Sequence, residues 1–336
     1  MDSRISRYAP VLVLLALSPL VAEFLFGATP ISNLDALLPV TAIYGGGAVL
    51  VRELARRRGS GFGRIAILGA AYAIVEEGLA LQSIFNPNLF NASLVGGRAL
   101  GINWVWSEWT VGYHIVWSIS IPILLAELLF PARRTEPWLG RAGVAVIGII
   151  YALGALALAI TFRLFVAPDF RTPTALATGA ALLTIVLVVI ALFWTSASTR
   201  QPSLEPMRKA PAPWIVGIVA FLAAGAWFGL LDLPHVLRAG PLVLLPMLLE
   251  AALAAGVVAL IRKWSAPGGS WSDLHSLALA FGPMLVGMLW GFFFVTSGNR
   301  VDQIGQGIAS AVAVVLMVLF ARRLEKRVHA AAQSGS

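Results

Sequence analysis

Apolar residues in this chain come in long unbroken runs, not in the alternations that mark a half-buried strand or surface helix. Ten such runs cover roughly 8–27, 35–52, 63–84, 108–130, 142–165, 174–196, 213–232, 241–262, 274–296 and 304–322. Each is close to the length of about 20 residues that an α-helix needs to cross a bilayer. The pattern predicts an all-α, polytopic transmembrane helix bundle of about ten helices, forming a single integral membrane domain over 1–336. The connections are short. The longest, 85–107, is rich in Asn, Gly and Trp, and 198–213 has the composition of a polar linker. None can hold a soluble domain, so any chemistry lies within the membrane or at its surfaces.

Basic residues fix the expected orientation. The N-terminal tail, the connections after even-numbered helices and the C-terminal tail hold 19 of the 24 Lys and Arg, and the other connections hold 5. Both termini are therefore expected in the cytoplasm, with Arg56, Arg57, Arg58, Arg322 and Arg323 as the strongest anchors. Trp104, Trp106 and Trp109 are expected to form an aromatic belt on the outer side. Residues 321–328 read as a basic amphipathic helix on the cytoplasmic surface. The opening stretch, with Arg4 and Arg7 ahead of an apolar run, resembles a signal peptide. It carries Glu23 and no small-x-small cleavage site, so it is expected to be the first transmembrane helix. The expected location is the plasma (inner) membrane, in multi-pass form.

Composition narrows the chemistry. Hydrophobic residues make up 59% of the chain and charged residues 12%, with a mean hydropathy of +0.85. There is no cysteine, which removes thiol nucleophiles, disulfides, iron–sulfur clusters and thiolate zinc sites. The net charge of +8 sits at the ends of apolar runs, which suits an anionic lipid surface and not a nucleic acid. Membrane lipids are the expected partners, alongside a membrane-embedded or small-molecule substrate. No cofactor and no metal are expected. His-Glu-x-x-His, Gly-x-Ser-x-Gly and Walker-type motifs are all missing.

The strongest chemical signal is Glu76–Glu77, inside the third run and about 18 Å along a helix from Arg64. Acidic residues at such depth are costly, and by default they mark function. Neighbouring helix positions point about 100° apart, so both are accommodated most simply by a shared polar site and a shared proton. The alternative is an ion pair with an arginine that locks helices together. His114 lies in the fourth run, at a similar depth approached from the other side. Sequential antiparallel helices tend to pack, so His114 is expected near the glutamates. Ser118 is one turn on, and Pro122 cannot donate to the Ser118 carbonyl.

Several further polar residues are of interest. Glu23, near the outer end of the first helix, is a candidate to line the same cavity, and Gln82 and Ser118 are candidate substrate-binding groups. Gln82, Asn86, Asn103, Glu108, Asp232, His235, Asp302 and Gln303 lie at or beyond helix ends, where solvation is the default. Glu250 lies near the middle of the eighth run and needs a partner. Glu127 and His275 lie near cytoplasmic ends, where snorkelling or hydration would serve them. Gly225-x-x-x-Gly229 and Gly287-x-x-x-Gly291 suggest close helix approach. Gly45–Gly46–Gly47 suggests either close packing or an unwound transporter-like stretch. The ten helices also allow halves 1–166 and 174–322 related as inverted repeats. His114 precedes Pro122 by eight residues and His275 precedes Pro283 by eight, but little else aligns.

Glu76–Glu77 followed by His114 on the next helix resembles the CPBP/Rce1-type and PrsW-like glutamate-dependent intramembrane proteases. The resemblance implies water activated between a glutamate and the histidine, with Glu76, Glu77 and His114 as catalytic residues. The arginine of that family's Glu-Glu-x-x-x-Arg motif corresponds to Leu81 here. The chain also resembles an uncharacterised class of bacterial polytopic membrane proteins with Glu-Glu-Gly and Phe-Asn-Pro around the third helix. Three functions stay open at this level: a membrane hydrolase or protease-like enzyme, a proton- or cation-coupled transporter, and a structural membrane protein whose carboxylates are satisfied pairs.

Overall fold

The apolar runs are helices in a computed structural model of the chain, which describes residues 3–59, 61–92, 94–193, 209–237, 242, 244–266 and 268–334. We label the helices α1 (3–24), α2 (Ile31–Arg57), α3 (62–80), α4 (Trp104–Leu129), α5 (Arg141–Val166), α6 (Thr174–Phe193), α7 (Pro213–Leu237), α8 (Leu244–Trp264), α9 (Asp273–Val295) and α10 (Arg300–Ser334). A two-stranded hairpin pairs β1 (Arg98–Ala99) with β2 (Ile102–Asn103), antiparallel, in the loop before α4. The chain is an all-α polytopic bundle. Among the described residues, nine helices are long and apolar enough to cross a membrane. The exception among the ten predicted runs is α3. It has spanning length but carries Arg64, Glu76 and Glu77, so its chemistry interrupts its hydropathy.

Two compact units are present. The first comprises Met1–Ala22, Asp35–Ala197 and Trp227–Ala252; the second comprises Glu23–Leu34, Ser198–Ala226 and Leu253–Ser336. In the first unit α3 packs against α4 and α6, α1 against α2 and α4, and α2 against α5. Glycines set the closest approaches. A Cβ at Gly45 would overlap the backbone of Leu15 on α1, one at Gly47 would meet the Tyr72 ring, and one at Gly46 would lie 3.3 Å from Tyr151. Gly45–Gly46–Gly47 is therefore a packing device within a continuous helix, not an unwound segment. Extra atoms in a tight interface cost about 1–3 kcal/mol. Gly45→Ala is accordingly expected to lower the thermal midpoint of the purified protein in detergent, because backbone on α1 cannot rotate aside. Gly61→Ala, where a Cβ meets nothing within 4 Å among the described residues, is the control.

In the second unit α9 packs against α10. Gly282 admits the backbone of Gly217 and Phe221, and Gly291 admits the carbonyl of Phe26. The Gly225 and Gly229 positions differ from expectation: a Cβ at either would meet nothing within 4 Å among the described residues. Small residues permit close approach without requiring it. The basic residues after 321 continue α10 as one helix through Ser334 instead of turning onto a surface. His275 is not a snorkelling group. It is buried as a helix cap: Nδ1 accepts from the Ser272 amide at 3.0 Å, and Nε2 donates to the Pro211 carbonyl at 2.9 Å. The linker 198–213 lies largely outside the described residues, as do the side chains of Asp232, His235 and His329.

Candidate functional site

Of the π-turns among the described residues, which also occur at Leu20–Phe24, Phe162–Val166 and Gly291–Val295, three carry the polar groups of one site. These fall at Thr41–Gly45 in α2, Ile74–Ala80 in α3 and His114–Ser120 in α4. Each wide turn carries polar groups of one site: Tyr44; Glu76 and Glu77; His114 and Ser118. A π-turn adds one residue to a turn and re-aims side chains, and such turns recur at functional sites. Pro122 contributes in α4. It cannot donate to the Ser118 carbonyl, and that carbonyl instead accepts from Ser18 Oγ of α1 at 2.7 Å. The same hydroxyl lies 3.0 Å from the Tyr44 carbonyl. One serine thus ties the altered backbones of α2 and α4 together.

His114 is the centre of the site. Its Nε2 lies 3.0 Å from Glu77 Oε1, and its Nδ1 lies 3.4 Å from Glu76 Oε2 and 2.9 Å from Ser118 Oγ. Glu76 and His114 are 1% and 2% exposed, so the cluster is withdrawn from both lipid and water. The other Glu77 oxygen accepts from Ser83 Oγ, and Trp106 Nε1 donates to that hydroxyl at 3.0 Å. The hydroxyls of Tyr44 and Tyr72 face the Glu76 carboxyl. The rings of Tyr44, Tyr72 and Tyr113 surround the imidazole with centroids 6.1, 5.7 and 5.5 Å away, and Tyr151 packs on Tyr72 at 6.0 Å. Four of the five tyrosines in the chain gather at one point.

The predicted trio is thus brought together, and Ser118 joins it. Gln82 is turned elsewhere. It ends α3 with a left-handed backbone (φ 63°), and its side-chain Oε1 accepts from the amide and hydroxyl of Thr172 at 2.9 and 2.8 Å. That sharp end to the helix carries Ser83 back over Glu77. Glu23 belongs to the second unit, where its carboxylate accepts from Thr29 Oγ1 at 2.6 Å.

The outer polar residues are less solvated than expected. Asn103 and Asn86 are buried. Asn103 Nδ2 donates to the Ser83 and Asn86 carbonyls at 3.0 and 2.9 Å, satisfying loop backbone that has no ladder partner. Arg98 in turn donates to Asn103 Oδ1 at 2.5 Å and to the Phe85 carbonyl at 2.8 Å. Asp302 is also buried, accepting from Ser32 through both carboxylate oxygens. Trp109 is no belt residue; it stacks on Tyr113 and meets Phe228 edge-on.

The arginines serve a different set of carboxylates. Arg52 is 0% exposed. Its Nε donates to Glu127 at 3.0 Å, its Nη1 to Glu53 at 3.2 Å, and its Nη2 to the carbonyls of Arg133, Arg134 and Glu136 at 3.2 Å each. Its guanidinium lies 3.2 Å over the Trp138 ring. Arg56 forms a second, two-point contact with Glu127 at 2.8 and 2.6 Å. Glu53 accepts from the backbone amides of Trp138 and Leu139. Glu127 is therefore a buried ion-pair partner and not a snorkelling group. The Arg52 network clips α2 to α4 about two turns from Tyr44.

Among the described residues no group of three or more His, Asp or Glu is arranged to hold a metal ion. No curated protein and no solved structure matches the chain. A family model matches residues 12–331, and the chain belongs to that family, an uncharacterized membrane protein family.

Proposed function

We propose that Glu76, Glu77 and His114 form the acid–base centre of a glutamate-dependent membrane hydrolase of protease-like type. The observation that supports it is one buried imidazole set between both carboxyls: Nε2 is hydrogen-bonded to Glu77 at 3.0 Å, and Nδ1 lies 3.4 Å from Glu76 Oε2, an oxygen with no hydrogen-bond partner among the described residues. None of the contacts described at the cluster comes from Arg or Lys, and two carboxylates beside a neutral imidazole carry two negative charges, so charge balance in an apolar setting requires that two protons be held among the three groups. Groups that share a proton at hydrogen-bond distance are suited to general acid–base work. In this reading the buried cluster opens to admit water and substrate, and Glu77 takes a proton from that water. His114 hands a proton to the leaving group, and Glu76 with Tyr44 and Tyr72 holds the imidazole in place. The substrate is an apolar chain segment that reaches the site from within the membrane, since no loop forms a soluble binding domain.

The test is cleavage of a library of synthetic apolar transmembrane peptides by the purified protein in lipid nanodiscs, read by mass spectrometry. Cleavage is expected with the native chain, falling at least about 100-fold in Glu77→Gln. The reading is wrong if no peptide is cut, or if Glu77→Gln cuts as fast as the native protein.

A second reading, proton-coupled transport, rests on the hydrogen-bonded chain that runs from Ser118 through His114, Glu77 and Ser83 to Trp106. It predicts proton movement across sealed proteoliposomes, followed with an entrapped pH dye, that stops in Glu77→Gln.

A further inference from the structure

Glu250 belongs to no network described so far. It sits six residues into α8, about 9 Å from the end of that helix that starts on the predicted outer side. Glu250 is 0% exposed, and neither carboxylate oxygen has a hydrogen-bond partner among the described residues. The basic residues of its own helix, Arg262 and Lys263, are at the far end, about 18 Å away. The titratable group whose charge bears on it, among the described residues, is another acid: Glu108, half-buried near the start of α4 in the same unit. Trp227 Nε1 donates to the Trp109 carbonyl at 3.3 Å, and Gly112 admits the Trp227 ring, so this end of α4 is packed and not loose.

A bare carboxylate in such a place has lost its hydration and gained no donor in return. A second acid nearby adds like-charge repulsion. Packing alone would be served better by leucine or methionine. We infer that Glu250 is a second carboxyl site that takes up a proton within the apolar layer, separate from the Glu76–Glu77–His114 cluster. Glu108, the more exposed of the two, is the acid whose charge bears on Glu250. This inference does not depend on the hydrolase reading, because it concerns other residues and is tested without turnover.

The probe is dicyclohexylcarbodiimide, an apolar reagent that adds to protonated carboxyl groups. The carboxyl oxygen bonds to the central carbon and the acid proton moves to nitrogen. The acyl group then shifts to nitrogen, so the whole reagent is retained as an N-acylurea and nothing is lost. The full chain in lipid nanodiscs is treated over a range of pH and mapped by peptide mass spectrometry. An adduct is expected on Glu250, with a yield that falls on the order of tenfold per pH unit once the proton is released. Glu108→Gln is expected to move that fall to lower pH, since removing the like charge makes the proton easier to lose. An absent adduct, or a yield that does not depend on pH, overturns the site. An unmoved profile in Glu108→Gln overturns the part assigned to Glu108. The native protein carries the main measurement, so the result does not hinge on a variant folding.

Discussion

Arg52→Met is expected to destabilise the protein by about 3–5 kcal/mol, the usual cost of removing one partner from a buried ion pair. Methionine fills similar volume, so little of the loss comes from a cavity. The cost arises because Glu53 and Glu127 stay behind, buried, and three loop carbonyls lose their donor. The midpoint of thermal aggregation in detergent checks it. Arg57→Met is the contrast. Its contact with Glu53 is 3.8 Å and its side chain is partly exposed, so the change should be within about 1 kcal/mol. Equal effects of the two substitutions would show that the buried arginine is not what holds the loop after α4.

His114→Leu is expected to be about as damaging, again about 3–5 kcal/mol, for a related reason. It leaves two neighbouring buried carboxyls without their common partner and opposite only tyrosine hydroxyls and Ser83. The decisive comparison is with Glu76→Gln and Glu77→Gln added to His114→Leu. Making both acids neutral should recover most of the lost stability, because neutral amides no longer repel one another. A triple variant no more stable than His114→Leu alone would mean that the imidazole acts by its shape and not as the proton-sharing partner of the glutamates. Proton sharing would then be the wrong account of the cluster.

Much of this architecture can be read from the chain because the bilayer enforces a simple rule: backbone must bond to itself, so apolar runs of sufficient length become helices. The depth of Glu76, Glu77 and His114 follows from counting along those runs, and the meeting of α3 and α4 follows from their adjacency. Other parts are hidden for identifiable reasons. Tyr44, Tyr72, Tyr113 and Tyr151 look like ordinary apolar-helix residues, and only their positions away from helix ends distinguish them from interface anchors. Ser83 lies beyond a helix end, and no pattern signals that Gln82 will take a left-handed conformation and fold it back. Arg52 and Arg56 count as topology signals in any tally of basic loops, which masks their burial against Glu127. The acids invite the same confusion: Glu127 and Glu250 look alike in sequence, yet one has two arginines and the other has no hydrogen-bond donor among the described residues.

The wide turn at His114–Ser120 has a consequence for how this chain can change by insertion or deletion. Such a turn holds one residue more than an α-turn, so it takes up one residue without turning the two halves of α4 relative to each other. Deleting one residue after His114 would restore regular pitch and leave the hydropathy of the helix almost untouched. The two flanking halves would keep their faces, with Glu127 still toward Arg52 and Arg56, while the side chains carried by the wide turn, His114 and Ser118, lost their aim. Helix length and composition would not register the loss. A single-residue gap at this point in a related sequence would therefore mark a protein that has kept its span and its Arg52–Glu127 clip and given up the placement of its buried histidine.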